Sequence, residues 1–392
     1  RRRIGCGIVE KSVVKIRSDN MLINNVLVSD ECITKAHPHT VKKFELIEKY
    51  VEAWAQKLLN NPKCDKIIFI DCMSNSGIYI DDGGEVVCGT PIRVAKYLSD
   101  IMQNSNYRNK TAELYFNDID SFKVECLKNF LPSNTENFKI ICSAKDGNKL
   151  LKELKYKLTE RNVHYLLIYD PFQADIDWEA IEPFLQHWGE VIINHMVSDI
   201  KRGISQVKDK LKVQRYEKTY LNPWTELLVK CKDRNAFEAR IVEIIKQREQ
   251  HKHYNFYIAA FPFYNKKNSK IYSLIYCTSN IEGLKLFKKE AWTVFGGKSS
   301  LKKSNPCGQQ LAFDFTGDAD VQVTCDETCY TIKDIADYLQ NKFCGRANVP
   351  YKEVWAKLDK HPIFPNDGFK NEIKEELKNS YDAQCGRSTI SF

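Results

Sequence analysis

The sequence predicts an α/β protein built on a doubly wound, mostly parallel sheet that ends in an antiparallel hairpin, with a small helical domain behind it. Three observations carry this expectation. From residue 66 to residue 194, five short apolar runs alternate with helical patterns, and each run closes on a polar tip. The runs Asn255 to Phe263 and Ile271 to Thr278 are joined by a polar turn without a helix, so they must pair antiparallel. After a basic, glycine-containing stretch, short helical patterns resume at residue 331.

The first strand is the most informative. Ile67-Ile68-Phe69-Ile70 has the length and β-branched content of a strand buried on both faces, and it stops at Asp71. Ser74, Asn75, Ser76 and Gly77 follow, then a glycine-rich loop, then Thr90-Pro91, which reads as an N-cap with proline at the first helical position. Strand, acidic tip, small-residue turn and helix make the ligand-binding corner of a doubly wound sheet. Before it, residues 1–38 read as an extension or cap. The run from Thr40 to Asn60 spaces Phe44, Ile47, Val51, Trp54 and Leu58 as the apolar stripe of a helix.

After the corner, a helix at about 90–103 leads to strand Ala112 to Phe116 and its tip Asn117-Asp118. The next strand is Lys139 to Cys142, followed by Asp146-Gly147 and a helix to about 160. Strand Tyr165 to Tyr169 ends at Asp170-Pro171-Phe172. A helix through Trp178, Ile181 and Leu185 precedes strand Val191 to Asn194. Residues 197–252 are charged and helical, carry an aromatic patch at Tyr216, Tyr220 and Trp224, and interrupt the rhythm as an insertion would. A helix from Gly283 to Phe295 closes the domain, which is expected to span 39–298. The stretch 299–325 reads as a flexible polar linker. In 326–392, helices at Thr331 to Phe343, Pro350 to Lys360 and Asp367 to Lys378 and a terminal extended tail give the outline of a winged helix-turn-helix. There Lys370, Lys374 and Lys378 share one helix face and could track phosphates. A lysine-rich solvated helix in a docking module is the competing account.

Composition bounds the rest. A 392-residue chain with 43% hydrophobic and 28% charged residues is an ordinary globular one, with core enough for a large and a small domain. No apolar run reaches a membrane span, and the Arg1-Arg2-Arg3 start lacks the apolar segment of a secretory signal, so no membrane association and a cytoplasmic location are expected. The 14 cysteines are irregularly spaced, several inside expected buried strands (Cys72, Cys142, Cys277), and are read as reduced thiols. The late group Cys307, Cys325, Cys329, Cys344 and Cys385 contains no CxxC, so no metal site is expected. A net charge of +8 permits a polyanionic partner.

Acids at successive strand tips are the candidate site. Asp71 with Ser74, Asn75 and Gly77 suits a ligand that approaches backbone N–H groups. Asp118 stands where such folds bind the hydroxyls of a ribose, and Asp146 could receive an exocyclic amine. Asp170 with Pro171 and Phe172 would face the reacting centre, holding an amino group while the ring stacks on a base. His39 and His195 are bases by type alone and read better as core residues. Lys201 and Arg202 could meet phosphate or cover a helix.

In their order and spacing, HPHTVKKFELIEKYVEAW, FIDCMSNSGIYIDDGGEVVCGTP, YFNDID, YDPF, VIINHMVSDIKR and IYSLIYCTSNIEGLKLFKKEAW resemble the three-Cys-motif partner (TcmP) family, over about residues 37–392. The resemblance implies a class I methyltransferase fold, S-adenosylmethionine (AdoMet) as cofactor, a C-terminal winged helix and a partner protein bearing a cysteine motif. Met73 and Asn75 depart from the glycine-rich turn of that fold, and Asp170-Pro171-Phe172 lacks the second proline of the tetrad used in amino methylation of DNA. Two functions therefore stand open: an AdoMet-dependent methyltransferase acting on DNA or RNA, and a catalytically inactive member that binds nucleic acid or a partner.

Overall fold

A computed structural model describes residues 13–17, 20–185, 189–197, 209–230, 235–249, 256–303 and 328–392. Lys201, Arg202, Cys307 and Cys325 lie outside the described residues. The chain divides into two compact units, residues 1–194 and residues 195–392.

The first unit begins with three short antiparallel strands, β1 (Val13–Arg17), β2 (Asn20–Ile23) and β3 (Val26–Ser29). Strand β4 (Thr34–Ala36) then leads into helix α1 (Pro38–Leu59), which starts on Pro38 and buries Phe44, Ile47, Val51 and Trp54. The central strands follow: β5 (Lys66–Asp71), β8 (Thr111–Asp118), β9 (Phe138–Ala144), β10 (Val163–Tyr169) and β11 (Gly189–His195). They pair in parallel, β11 with β10, β10 with β5, β5 with β8 and β8 with β9. Numbered from β5, this order is 3-2-1-4-5, the doubly wound arrangement whose strand order reverses beside the first strand. The connecting helices are α2 (Thr90–Met102), α3 (Ser121–Lys128), α4 (Gly147–Leu154) and α5 (Trp178–Leu185).

Several expectations are corrected in detail. The glycine-rich loop after Gly77 is a hairpin of β6 (Ile78–Asp81) and β7 (Val86–Cys88), and β6 pairs in parallel with β4. Asp81 builds its turn, accepting from the N–H groups of Gly83 at 2.8 Å and Glu85 at 2.9 Å. Helix α2 takes Gly89, not Thr90, as its N-cap, and Thr90 is the first helical residue. A Cβ at Gly89 would lie 2.5 Å from the Tyr79 ring, so the chain needs glycine there. The helix expected to reach residue 160 ends at Leu154 and tightens into a 3-10 turn, Lys155–Thr159. Cys142 is half-buried, not buried, because β9 is the last strand in that direction and alternates exposed and covered positions.

The second unit holds helices α6 (Lys210–Tyr220), α7 (Trp224–Lys230) and α8 (Ala236–Glu249), then the hairpin β12 (Tyr257–Tyr264) and β13 (Lys270–Thr278), antiparallel as its short connection requires. Tyr216 and Tyr220 are buried, and Tyr216 stacks on Trp224 with centroids 6.1 Å apart. The aromatic patch is thus largely the core of these helices and not an exposed platform. Helix α9 (Ile281–Val294) is followed by the start of the polar stretch, where Ser299 and Ser300 are buried and Ser299 exchanges hydrogen bonds with Tyr330.

Residues 328–392 contain α10 (Ile332–Phe343), β14 (Val349–Pro350), α11 (Tyr351–Lys360), α12 (Lys370–Tyr381), β15 (Gln384–Cys385) and β16 (Thr389–Ser391). Strand β16 pairs antiparallel with both β14 and β15. Thr331 and Asp334 form a capping box at the start of α10. Lys288 on α9 docks this segment: its buried ammonium donates to the carbonyls of Leu358 at 2.6 Å, Asp359 at 3.0 Å and His361 at 2.6 Å, at the end of α11. Burial pushes that ammonium down to about 7, although Asp359 pulls the other way. Trp292 adds an indole N–H to the Ile363 carbonyl at 2.9 Å.

The second unit also buries an ion pair. Lys270 on β13 and Glu238 on α8 meet at 2.5 Å, and the Ser273 hydroxyl donates to the same carboxylate. Removing one partner strands a buried charge, which typically costs about 3 to 5 kcal/mol, whereas apolar replacement of both is near neutral. Lys270→Met alone should therefore lower the unfolding free energy by about that amount, and Lys270→Met with Glu238→Leu should recover most of it. Urea unfolding of both variants checks this, and equal losses would show that the two groups are not coupled.

Candidate functional site

The carboxyl ends of β5, β8 and β10 meet at the point where the strand order reverses, and each carries an acid the sequence singled out. Between them stands a residue the sequence reading passed over. Asn117, buried one position before Asp118, donates from its amide to the Cys72 carbonyl at 3.0 Å and the Lys145 carbonyl at 2.8 Å. Its side-chain oxygen accepts from the Ser143 hydroxyl at 2.7 Å and the Lys145 N–H at 3.2 Å. Its backbone carbonyl accepts from the Ser74 N–H at 2.7 Å and hydroxyl at 3.1 Å. One side chain thereby satisfies polar groups at the ends of β5 and β9 from the end of β8. The only advance signal was an amide placed directly before a strand-tip acid.

The turn after β5 is shaped by this hub. Asn75 takes a left-handed backbone, φ 57°, as an asparagine in a glycine position can. Its side chain is engaged locally, donating to the Thr34 hydroxyl at 3.2 Å and accepting from the Ser76 N–H at 2.7 Å. Its own N–H donates to Asp118 Oδ2 at 2.9 Å, and the other Asp118 oxygen accepts from the Asp120 N–H at 3.0 Å. Ser74 and Ser76 are buried, the latter donating to the Cys32 carbonyl. Gly77 has φ 73°, and a Cβ on it would press on Ile92 and Leu127 at 2.9 Å, so this position admits only glycine without a shift.

Asp71 is 4% exposed and accepts from the Met73 N–H at 3.3 Å. Burial pushes its carboxyl up to about 7; the neighbouring Asp170 and Asp118 charges add to the rise, and Lys43 opposes it. Both carboxylate oxygens of Asp170 have a partner. Lys43, a buried residue of α1, donates to its Oδ2 at 2.5 Å, and the Asn194 amide donates to its Oδ1. Neither partner was nominated from sequence, since a lysine 127 positions away has no local signature. Tyr79 from β6 completes the group: its phenol is held above the usual range by burial and by the charges of Asp170, Asp71 and Asp118.

The remaining candidates have other engagements, although the Asp146 charge reaches the Cys72 thiol at the corner. Asp146 caps α4, accepting from the Lys149 N–H at 2.9 Å. Pro171 is buried, whereas the Phe172 ring is 89% exposed. Ile119, directly after Asp118, is also exposed. His39 is buried, stacked on His37, and depressed to about 4 by burial and by the nearby His37 and Lys43. His195, in the second unit, meets the Tyr220 hydroxyl through Nε2 at 2.9 Å and is pushed down to about 3 by burial and Lys270. Both are core residues in these surroundings. On α12, Lys370 is paired with Asp367 at 2.9 Å, Lys374 lies 3.9 Å from the centre of the Tyr351 ring, and Lys378 is exposed. Among the described residues no group of His, Cys, Asp or Glu is placed to hold a metal, and no helix is long and apolar enough to cross a membrane.

No protein-family model and no curated protein sequence matches this chain. Solved structures similar to it include a Legionella pneumophila protein of the family DUF519, at 14% identity over 64% of this chain and 92% of that one, with a TM-score of 0.35. They also include a candidate methyltransferase from Thermobifida fusca, at 6% identity over 62% and 84% of the two chains, TM-score 0.28. A third is a loganic acid methyltransferase with SAH, at 12% identity over 67% and 87%, TM-score 0.23.

The charge state of Asp71 has a consequence for stability. Its carboxyl holds a proton to about 7 in the folded chain and to about 3.8 when unperturbed, so the folded state binds more protons between these values. The contribution to stability is therefore present below about pH 4 and is lost as the pH rises through 7. Asp71→Asn should flatten this slope and raise the melting temperature at pH 7.5 while leaving it nearly unchanged at pH 4, each kcal/mol gained shifting it by about 2 to 4 °C. Thermal unfolding across this range checks the sign, and a variant less stable than wild type at pH 7.5 would refute it.

Proposed function

We propose that the corner between β5, β8 and β10 is the site of an AdoMet-dependent methyltransferase. The observation that carries the reading is the meeting of Asp71, Asp118 and Asp170 at the strand-order reversal, around a turn whose backbone is pinned by Asn117 and Asp118. The donor set fits the cofactor. A cluster of carboxylates suits a cationic ligand, and the half-exposed Asp118 keeps lone pairs for ribose hydroxyls beyond its two backbone bonds. The Asn75 amide is engaged with Thr34 and Ser76, an arrangement that supports a turn still open to ligand. AdoMet, when bound, supplies the methyl group. The chain's residues would orient and exclude water: Asp71, Ser74, Asn75, Gly77 and Asp118 on the cofactor side, with Asp146 at the start of α4, and Asp170, Pro171 and Phe172 on the acceptor side. The resemblance to three-Cys-motif partner proteins, and the cysteine-motif partner it implies, belong to this proposal.

The acceptor we propose is a nucleic acid, DNA or RNA, positioned by residues 326–392 as a winged-helix-like domain. The order helix, short strand, helix, helix, hairpin supports that comparison. Lys370 and Lys374 each have an internal partner, and α12 also carries Glu372, Glu375 and Glu376, so the electrostatic footprint is small. Duplex affinity should fall with salt at a slope of only about −1 to −3 in log–log form. Replacing Lys374 and Lys378 with glutamate should flatten it further. Anisotropy titrations from about 50 to about 200 mM salt test this; affinity that ignores salt and both substitutions removes the nucleic-acid reading.

Calorimetry with AdoMet tests the cofactor. Wild-type protein should bind it, and Asp118→Ala should weaken binding about 10-fold or more through loss of a charge-assisted contact. Absence of heat at millimolar cofactor would favour a second reading, a catalytically inactive subunit of the same fold. The ion pair that ties Asp170 to Lys43 inside the chain is the observation on its side.

A further inference from the structure

The ion pair between α1 and the tip of β10 is not explained by the strand-tip pattern. Lysine is rarely buried unless paired, yet Lys43 leaves the exposed side of α1 for a place 2.5 Å from Asp170. Asn194 reaches the other oxygen of the same carboxylate from the end of β11. A carboxylate gripped at both oxygens, from a helix and from a neighbouring strand, cannot rotate. A structural tie between α1 and the sheet would need only one of these contacts, and α1 already packs on β5 through its apolar stripe.

We infer that Lys43 is a positioning residue: with Asn194 it fixes the plane of the Asp170 carboxylate, and its ammonium offsets the charge crowded at the tips of β5, β8 and β10. The acceptor-side role rests on the methyltransferase reading, whereas the electrostatic role does not. The groups facing Asp71 are Asp170 on β10, Asp118 on β8, Lys43 on α1, Tyr79 on β6 and the Met73 N–H, with the Cys72 thiol beside it. Lys43 is the cation among them. Without it, the Met73 N–H is left to oppose the two negative neighbours, and ionisation of Asp71 becomes harder.

The test is a pH titration by carboxyl NMR on ligand-free full chain labelled at the aspartate side-chain carbons, with Asp71→Asn identifying the resonance. In wild type the Asp71 midpoint lies at about 7. Lys43→Met should raise it measurably, because a positive charge that favours the ionised form is removed, and Lys43→Arg should restore it. Lys43→Gln, which keeps a donor without the charge, serves if the methionine variant does not fold, and should raise the midpoint likewise. An unchanged midpoint in a folded Lys43→Met or Lys43→Gln variant overturns the inference, since a merely structural tie would not move it. In wild type that binds AdoMet, Lys43→Met should keep the dissociation constant within about threefold while slowing methyl transfer, and equal loss of both would overturn the positioning role. Failure of wild type to bind AdoMet would sink the methyltransferase reading and leave the titration result standing.

Discussion

Burying the ends of parallel strands leaves carbonyl and N–H groups with nowhere to go, and Asn117 is the answer this chain has found. A primary amide offers two donors and an acceptor with two lone pairs, and here both ends are used: two strand-end carbonyls on one side, a hydroxyl and a backbone N–H on the other. Because its own carbonyl also receives Ser74, the turn after β5 is tied to the end of β8. Asp118 could not accept the Asn75 N–H, nor Asp71 sit where it does, unless these loop ends were held in place.

The electrostatics of the corner follow from that packing. Acids brought together by sheet order repel one another, and three devices moderate the repulsion. Backbone N–H groups take Asp118, Lys43 and Asn194 take Asp170, and Asp71 retains its proton toward neutral pH. The result is a set of strand tips whose net charge is lower than its count of carboxylates suggests. Such a set suits a ligand that is cationic and rich in hydroxyls.

A similar economy governs the second unit. The Lys288 ammonium ends three carbonyls at once, in the place where a helix usually relies on glycine, and so attaches residues 328–392 to α9. The linker expected from composition begins with Ser299 and Ser300 buried against Tyr330, because a short polar residue can pair with backbone as readily as with water. By sequence the lysines of α12 form one basic face. Helical spacing places them together, but Asp367, three residues before Lys370, and the Tyr351 ring, from another helix, take two of the three.

What the sequence determined by itself was periodic or local. Apolar runs of strand length, amphipathic spacing in α1 and a strand closing on Asp71 are all set by neighbouring residues, so the alternating α/β pattern and the acidic tips could be read directly. The left-handed backbone at Asn75 is local in the same way, since that preference belongs to the residue. Tertiary structure decided which tips meet and what each acid touches. The 3-2-1-4-5 order, the reach of Lys43 to a carboxylate 127 residues away, the Tyr79 hairpin and the Asn117 hub depend on contacts across the sheet, and no local preference encodes a partner at that separation. The first strand and its acid thus announced a site, and only the packing around them decided how many of its charges are neutralised and by whom.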